Sequence, residues 1–332
     1  MIAQTTGIDG RSVRALANTT GAEAEAEDRR VYEFETLFPW LSYGWAPLHG
    51  IVRDGWKYVA APRPELYDLR SDPGETRDRS GSETARAAAM AREVETLLAE
   101  DTVEQAAQTG PEAAERRRRL GSLGYVPGGP GAGDPGGDPI DPKDGVVWLA
   151  DLDRARRLSA EGRPEACTDA LRPLLARNPD NVPALLTLAS CRLAGGDSAG
   201  ALAAVESADR VRPGDDLVAF HRANALAALA DAGDRPAVDV RRAYERAVER
   251  NPRRADAWLN FASFTARSEG PAAALDVLSR ADQAGVAGPD LDVTRGVQWL
   301  RLGKAPEAES AFRDALERNP ADVATLEAMA RL

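Results

Sequence analysis

The stretch from Leu185 to Pro213, LLTLASCRLAGGDSAGALAAVESADRVRP, decides the fold of the larger part of this chain. Alanines, among them Ala189 and Ala201, recur between larger apolar residues such as Val205. Small residues let two helix axes approach closely, while large residues fill the groove beside a neighbouring helix. The stretch therefore indicates helices that pack tightly against each other.

Similar phrases recur at a fixed interval through the second half of the sequence. The residue numbers of Pro179 and Pro213 differ by 34, and those of Pro252 and Pro320 differ by 68, which is two periods. The step from Pro213 to Pro252 is 39, so one repeat carries five extra residues, within LADAGDRPAVD. A fixed period of this length is typical of stacked helical repeats.

These phrases resemble tetratricopeptide (TPR) repeats from about Trp148 to the end of the chain. The resemblance implies helix pairs with small residues where the helices cross, large residues on each helix and a proline at the exit. We count five repeats and the opening helix of a sixth, and predict a mainly α protein with a TPR α-solenoid. AWLNFASF and GKAPEAESAFRDALERNP carry the pattern as well, through Trp258, Ala262, Gly303, Ala308, Phe312, Ala315 and Pro320.

The chain has two cysteines, Cys167 and Cys191, which fall in neighbouring helical repeats. Two cysteines in a chain of this length suggest neither a disulfide framework nor a thiolate metal site. Cys167 takes the place of the small alanine on the second helix of its repeat, as Val240 does later in the chain. We therefore interpret both cysteines as small core residues.

In the family that these repeats resemble, the inner face of first helices usually receives a peptide or another protein. Chaperone-binding members hold a terminal carboxylate with asparagines at places like Asn224 and Asn260, helped by Lys or Arg. The matching places here hold Phe220, Asp290 and Thr294, so we predict a groove without that clamp. Its candidate residues are Leu186, Ser190, Asn224, Leu259, Asn260 and Ser263.

The first third of the chain has a different pattern: nine of the 18 aromatic residues fall between Tyr32 and Tyr67. Asp54-Gly55 is a preferred pair for a two-residue hairpin turn, and ELYDL predicts the next strand, closed by the turn SDPGE. An amphipathic helix follows, with one apolar stripe made of Met90, Val94, Leu97 and Leu98.

Another helix is predicted after Gly110, with the arginines 116–119 on a solvated face. The residues after it are so rich in Gly, Pro and Asp that they cannot bury a core. We therefore divide the chain into a small α+β antiparallel-sheet subdomain at 1–125, a linker at 126–146 and the TPR repeats at 147–332.

GIDGRS, the stretch from YEFETLFPW to DPGE, and RLGSLGYV resemble the carboxy-terminal part of a sulfatase of the alkaline-phosphatase superfamily, over residues 7–126. In that family this region is a small antiparallel sheet with a helix, packed against a much larger α/β domain. The resemblance implies that a sheet face is exposed when the large domain is missing. The candidate residues of this patch are Phe34, Phe38, Trp40 and Trp45.

The catalytic motif of that family is absent from this sequence. Its nucleophile lies in Cys/Ser-x-Pro-x-Arg, whereas the cysteines here read CTDAL and CRLAG. We assign no catalytic residue, no metal ligand and no cofactor to this chain, and expect calcium only in an intact sulfatase. We interpret His49 and His221 as structural residues. Asp68, Asp72 and Glu75 are interpreted as turn and solvent residues rather than metal ligands.

Two functions stay open. The first is a protein–protein interaction module, in which a TPR scaffold binds a protein or peptide and follows the non-catalytic tail of a sulfatase-like protein. The alternative is the C-terminal fragment of a calcium-dependent, formylglycine-type sulfatase that hydrolyses sulfate esters only with its missing N-terminal domain. A sulfatase catalytic domain is then a further candidate partner, for residues 1–125.

Charge and hydropathy exclude other partners. The formal net charge of −11 has the wrong sign for a protein that follows phosphate backbones. No run of 18 apolar residues indicates a membrane span, and the opening MIAQTTGIDGRSVRAL lacks the apolar core of a signal peptide. The given sequence predicts a cytoplasmic protein, whereas a periplasmic or secreted location is expected for an intact parent sulfatase.

Overall fold

The computed structural model describes residues 31–36, 38–107 and 140–330. These residues belong to two compact units, one with the residues up to Gly145 and one with the residues from Val146 onward. The phrases GIDGRS and RLGSLGYV, the helix predicted after Gly110 and most of the 126–146 linker lie outside the described residues.

The first unit contains a four-stranded antiparallel sheet in the order β1-β2-β3-β4, which confirms the small sheet expected from the sequence. Two helices accompany it, a short one after β1 and a long one after the sheet. The elements are β1 Tyr32–Thr36, α1 Phe38–Tyr43, β2 Leu48–Arg53, β3 Trp56–Ala60, β4 Glu65–Asp68 and α2 Thr84–Ala107.

The predicted hairpin turn joins β2 and β3. Asp54 has φ 53° and Gly55 has φ 78°, so both lie in the left-handed region that a primed two-residue turn requires. One face of the sheet packs against α2 because strand residues alternate between the two faces. Ile51, Tyr58 and Leu66 form its core with the predicted helix stripe, which includes Met90, Val94, Leu97 and Leu98.

The second unit is helical and confirms the predicted solenoid of five repeats and an opening helix. Among the described residues, no helix is both long and apolar enough to cross a membrane. Helices α3 Pro142–Ala160, whose first residues up to Gly145 belong to the first unit, and α4 Pro164–Arg177 come first. The packed pairs follow: α5 Val182–Ala194 with α6 Ser198–Val211, α7 Asp216–Asp231 with α8 Ala237–Arg250, α9 Ala255–Ser268 with α10 Pro271–Gln283, and α11 Pro289–Arg301 with α12 Ala305–Arg318, and then α13 Val323–Met329.

Local sequence determines where these helices begin and how closely they cross. The side chain of Asn181 accepts a hydrogen bond from the Ala184 amide (3.0 Å), and that of Asp215 accepts one from the Leu217 amide (2.8 Å), so both cap a helix. At the crossing of α11 and α12, a Cβ on Gly296 would lie 2.5 Å from the ring of Phe312. Only glycine therefore permits this close helix approach.

The five extra residues of the third repeat are divided between its first helix and the following connection. Helix α7 has 16 residues, whereas α5 has 13. The connection after α7 spans residues 232–236, compared with 195–197 after α5. The insertion therefore lies where the sequence predicted it, and the packing of the neighbouring helices is retained.

The interpretation of the two cysteines as unbonded core residues was wrong. Cys167 in α4 and Cys191 in α5 form a disulfide, with their Cα atoms 6.1 Å apart. Both side chains are completely buried, as expected, but they lie where the second helix of one repeat packs on the first helix of the next. The stacking of repeats brings together two positions that are 24 residues apart in the sequence.

Candidate functional site

The first helices of successive repeats contact each other, so α5, α7, α9 and α11 form a continuous row. The predicted groove residues all lie on three of these helices. The row therefore offers one surface on which side chains from different repeats can act on the same ligand.

An amide cluster joins two of the predicted groove residues. Asn260 on α9 donates a hydrogen bond from Nδ2 to Oδ1 of Asn224 on α7 (3.0 Å). The hydroxyl of Tyr244 on α8 donates to the same oxygen (2.9 Å). Tyr244 is 2% exposed and its ring stacks on Phe261 at 5.5 Å between centroids, so the cluster is held from the core side.

This arrangement determines which polar atoms remain for a ligand. The two lone pairs of the Asn224 oxygen are occupied, whereas its Nδ2 group has no partner among the described residues. The Asn260 Oδ1 likewise has no partner in the described part of the chain. The pair therefore presents a donor and an acceptor, which is what one peptide unit of a bound chain requires.

A charged network joins the start of α7 to the connection between α8 and α9. Arg254 donates to Oδ2 of Asp216 from Nη2 (2.7 Å), and Asn251 donates to the same oxygen (2.8 Å). Burial alone would raise the pKa of Asp216, but the hydrogen bonds from Arg254 and Asn251 outweigh it and lower that pKa below its usual value. The carboxylate therefore stays charged and fixes the guanidinium over the ring of Phe220, 5.7 Å from its centroid.

His221 lies beside this network. Its ring contacts Phe220 edge-on, with the centroids 5.5 Å apart. Burial, together with the smaller effect of the nearby Arg254 charge, lowers the pKa of His221 to about 4, against the opposing effect of Asp256 and Asp215. The imidazole is therefore neutral at physiological pH.

A cleft with a volume of about 520 Å³ opens where α9 and α11 begin. Arg254, Asp256 and Leu259 line one side, and Pro289 and Asp290 line the other. It adds space for a ligand side chain at the end of the row of first helices, next to the network that holds Arg254.

The six predicted groove residues have different environments. Asn224 and Asn260 form the amide cluster, and Ser263 on α9 is partly exposed. Leu259 packs partly against the core, and Ser190 donates its hydroxyl hydrogen to the carbonyl of Leu186 in its own helix (3.2 Å). Leu186 is only 3% exposed, so it supports the surface from below, and its assignment to the groove wall was wrong.

The places matching the chaperone-type clamp have local roles. Phe220 is 8% exposed beneath Arg254, and Thr294 donates its hydroxyl hydrogen to the Asp290 carbonyl (2.8 Å). Sequence reasoning missed Tyr244 and Arg254 as parts of the site. Tyr244 lies on a second helix, and no local pattern indicates that its hydroxyl reaches a first helix.

The aromatic patch proposed for the first unit is only partly exposed. Phe38 is 62% exposed, while Phe34 and Trp40 are partly buried. Trp45 is 3% exposed, so its assignment to an exposed patch was wrong. It stacks on Tyr43 at 4.5 Å, and the adjacent Ala46 amide donates to the carbonyl of Ile140 (2.9 Å), because residues of the same unit cover this position.

Asp68 and Asp72 have hydrogen-bond partners in the turns near the sheet, whereas the partner of Glu75 lies on strand β3. Asp68 accepts a hydrogen bond from the Ser71 hydroxyl (2.7 Å), Asp72 accepts from the Thr76 amide (2.8 Å), and Glu75 pairs with Lys57 (2.6 Å). In the ranges that the structure describes, no group of three or more His, Cys, Asp or Glu residues has an arrangement that could hold a metal ion.

Comparison with protein families identifies the class of these helix pairs. Residues 158–229 match a family model described as a tetratricopeptide repeat, and together with the packed helix pairs this shows that the second unit has a TPR fold. No curated protein matches the chain. The matches found lend no support to a sulfatase origin of the first third.

Several solved structures, two of them described as TPR proteins, are similar to this chain over about half of its length. A thermophilic TPR protein of Thermus thermophilus is 22% identical, with 55% of this chain and 97% of that chain covered and a TM-score of 0.49. MamA from Desulfovibrio magneticus RS-1 is 14% identical (53% and 97% covered, TM-score 0.41). YrrB, a TPR protein with an unusual peptide-binding site, is 16% identical (55% and 91% covered, TM-score 0.38).

Proposed function

We propose that this protein is an interaction scaffold whose row of first helices binds an extended peptide segment of a partner protein. The observation that supports this proposal is the amide cluster of Asn224, Asn260 and Tyr244. It joins two neighbouring repeats and leaves one donor and one acceptor for a ligand. Because the buried Tyr244 holds Asn224 in place, little side-chain entropy is lost when a peptide binds.

The surroundings define the kind of peptide. Arg254 supplies a fixed guanidinium, whereas the neutral His221 adds no positive charge. Leu259 and the cleft beside Pro289 accept an apolar side chain. We therefore expect a peptide with an apolar residue close to the backbone unit that the asparagines bind.

The test uses peptides selected from a random library on the full chain. Replacing both asparagines, Asn224→Ala with Asn260→Ala, is expected to weaken binding of the selected peptides by about tenfold or more, since two ligand hydrogen bonds are lost. Fluorescence anisotropy of labelled peptides measures the dissociation constants. Circular dichroism checks that the variant keeps its helices.

The matched control is Gln283→Ala, which removes an exposed amide from the second helix α10. It is expected to leave the dissociation constants unchanged. If the double asparagine variant keeps its helices and binds the selected peptides as tightly as the parent chain does, the amide cluster is not the peptide site.

We further propose that the first unit is the non-catalytic tail of a sulfatase-like protein. The support is the residue pattern described above, together with a small antiparallel sheet backed by one helix. In the alternative form of this proposal, the chain is a fragment that hydrolyses sulfate esters only with an N-terminal domain carrying the nucleophile and calcium ligands. A protein or peptide in the groove, and a sulfatase catalytic domain on the first unit, are the partners proposed.

The gene upstream of the Met1 codon tests this second proposal. We expect an open frame that encodes a Cys/Ser-x-Pro-x-Arg motif and paired aspartates, or a separate neighbouring gene that encodes them. Stop codons directly upstream of a transcript that starts at Met1, with no such gene nearby, would contradict the alternative form, in which a catalytic domain completes the enzyme, and would leave the peptide-binding proposal intact.

A further inference from the structure

A second cleft, with a volume of about 400 Å³, lies between helices α6 and α8 and is lined by α7 as well. Its walls come from the second helices of two adjacent repeats, so it differs from the row of first helices described above. Leu202, Ala219, Leu226 and Ala243 contribute apolar lining. The cleft therefore combines apolar surface with the charged residues around it.

The charges around this cleft are unevenly distributed. Arg242, Arg246 and Arg250 follow one another at four-residue intervals along α8, and Arg235 precedes the helix. Residues at this spacing lie on the same helix face, so the three guanidiniums form one stripe. In the part of the chain that the structure describes, none of these four arginines has an ion-pair partner, whereas Arg222, Arg241 and Arg254 of the same repeats do.

The opposite wall is acidic but partly neutralised. Asp209 on α6 pairs with Arg222 on α7 (2.8 Å), which leaves Glu206 as the acidic side chain of that wall. Asp239 on α8 is the remaining carboxylate of the lining. The cleft thus has more arginine than carboxylate, although the whole chain has a formal net charge of −11.

We infer that this cleft binds an acidic amphipathic segment of a partner protein. Carboxylates of the segment face the arginine stripe on α8, and its apolar side chains contact Leu202 and Leu226. Charge complementarity of this kind determines orientation and association rate. A segment with carboxylates one helical turn apart matches the spacing of the arginines on α8.

A nucleic acid fits this cleft less well than such a segment does. A phosphate backbone presents negative charge along its whole length, and here it would lie close to Glu206 and Asp239. The acidic surface of the remaining chain would repel it as well. An amphipathic peptide has apolar residues to place on the lining and needs negative charge on one side only.

The test uses a short fluorescein-labelled peptide of leucine and glutamate, patterned as an amphipathic helix, and its counterpart with glutamine in place of glutamate. Fluorescence anisotropy measures binding to the full chain. We expect the glutamate peptide to bind at least about fivefold more tightly, and this preference to shrink when NaCl is raised, because salt screens exposed ion pairs.

Two double variants with the same change in net charge locate the site. Arg242→Gln with Arg246→Gln is expected to weaken binding of the glutamate peptide at least about fivefold. Arg177→Gln with Arg301→Gln, at exposed positions outside the cleft, is expected to change it less than about twofold. Asn224→Ala with Asn260→Ala is expected to leave it unchanged, which separates this site from the proposed peptide groove.

Three results would overturn the inference. In the first, the glutamate and glutamine peptides bind equally, or neither binds. In the second, the two arginine double variants weaken binding to the same extent, which would indicate attraction by overall charge. In the third, a single-stranded oligothymidylate binds through Arg242 and Arg246 more tightly than the glutamate peptide does, which would assign the cleft to a polyanion.

Discussion

Replacing both cysteines, Cys167→Ala with Cys191→Ala, lowers the free energy of unfolding of the repeat unit by about 3 kcal/mol, because the disulfide no longer restricts the unfolded chain. The bond closes a loop with a sequence separation of 24 residues between α4 and α5. Alanine suits both positions because the side chains are fully buried among close helices. Urea unfolding, followed by circular dichroism, measures the change.

Reduction of the parent chain is the control for this variant. A strong reductant is expected to bring the parent close to the stability of the double variant and to leave the variant itself unchanged. In the reduced chain, protection of backbone amides from hydrogen exchange should decrease first in α4 and α5, since each repeat of a solenoid contacts only its neighbours. Equal unfolding midpoints for the oxidised and reduced parent chain would show that the disulfide does not stabilise the fold.

The disulfide also bears on the compartment. Such bonds persist where thiols are kept oxidised, as in secreted and periplasmic proteins, and are rare in the cytosol. Cytoplasmic location stays a prediction from the first residues of the sequence, and the buried Cys167–Cys191 bond argues against it.

The repeat architecture was predictable because the same packing constraints recur at a fixed period. Each repeat needs small residues at its crossing, and Ala189, Ala262 and Ala308 are all completely buried where the sequence pattern placed them. The hairpin was predictable for a local reason, since Asp54 and Gly55 adopt the positive φ values that their turn type requires. Short-range patterns and a strict period are both visible in one sequence.

Side-chain contacts between helices were not predictable in the same way. Cys167 and Cys191 look like two ordinary core residues until the helices are stacked, and Tyr244 reaches Asn224 across 20 sequence positions. The arginines of α8 recur at four-residue intervals in the sequence, but only the structure places Leu202 and Leu226 beside them. Such pairs depend on how far each helix is rotated, which the period alone does not determine.

Acidification is expected to destabilise the repeat unit through His221, by about 2 kcal/mol at pH 5 relative to pH 7. The unfolded chain has a histidine pKa near 6.5, whereas burial beside Phe220 and Arg254 lowers the pKa of His221 to about 4 in the folded chain. Between these two values the unfolded chain binds the proton more strongly, so lowering the pH favours unfolding. Well above pH 6.5 the imidazole is neutral in both states and has no such effect.

His221→Gln isolates this contribution because glutamine keeps a polar side chain but does not titrate in this range. Urea unfolding at pH 7, 6 and 5 is expected to show a smaller loss of stability in the variant than in the parent chain. The acidic groups that face His221, Asp215 and Asp256, are present in both chains, so the difference between the two pH profiles reports the histidine.

His49→Gln, which replaces the other histidine and lies in the first unit, is the control and should leave the repeat unit's profile unchanged. Parallel profiles of stability against pH for the parent and His221→Gln would mean that His221 is protonated as readily in the folded chain as in the unfolded one. The inner face would then carry an additional positive charge beside Arg254 at mildly acidic pH.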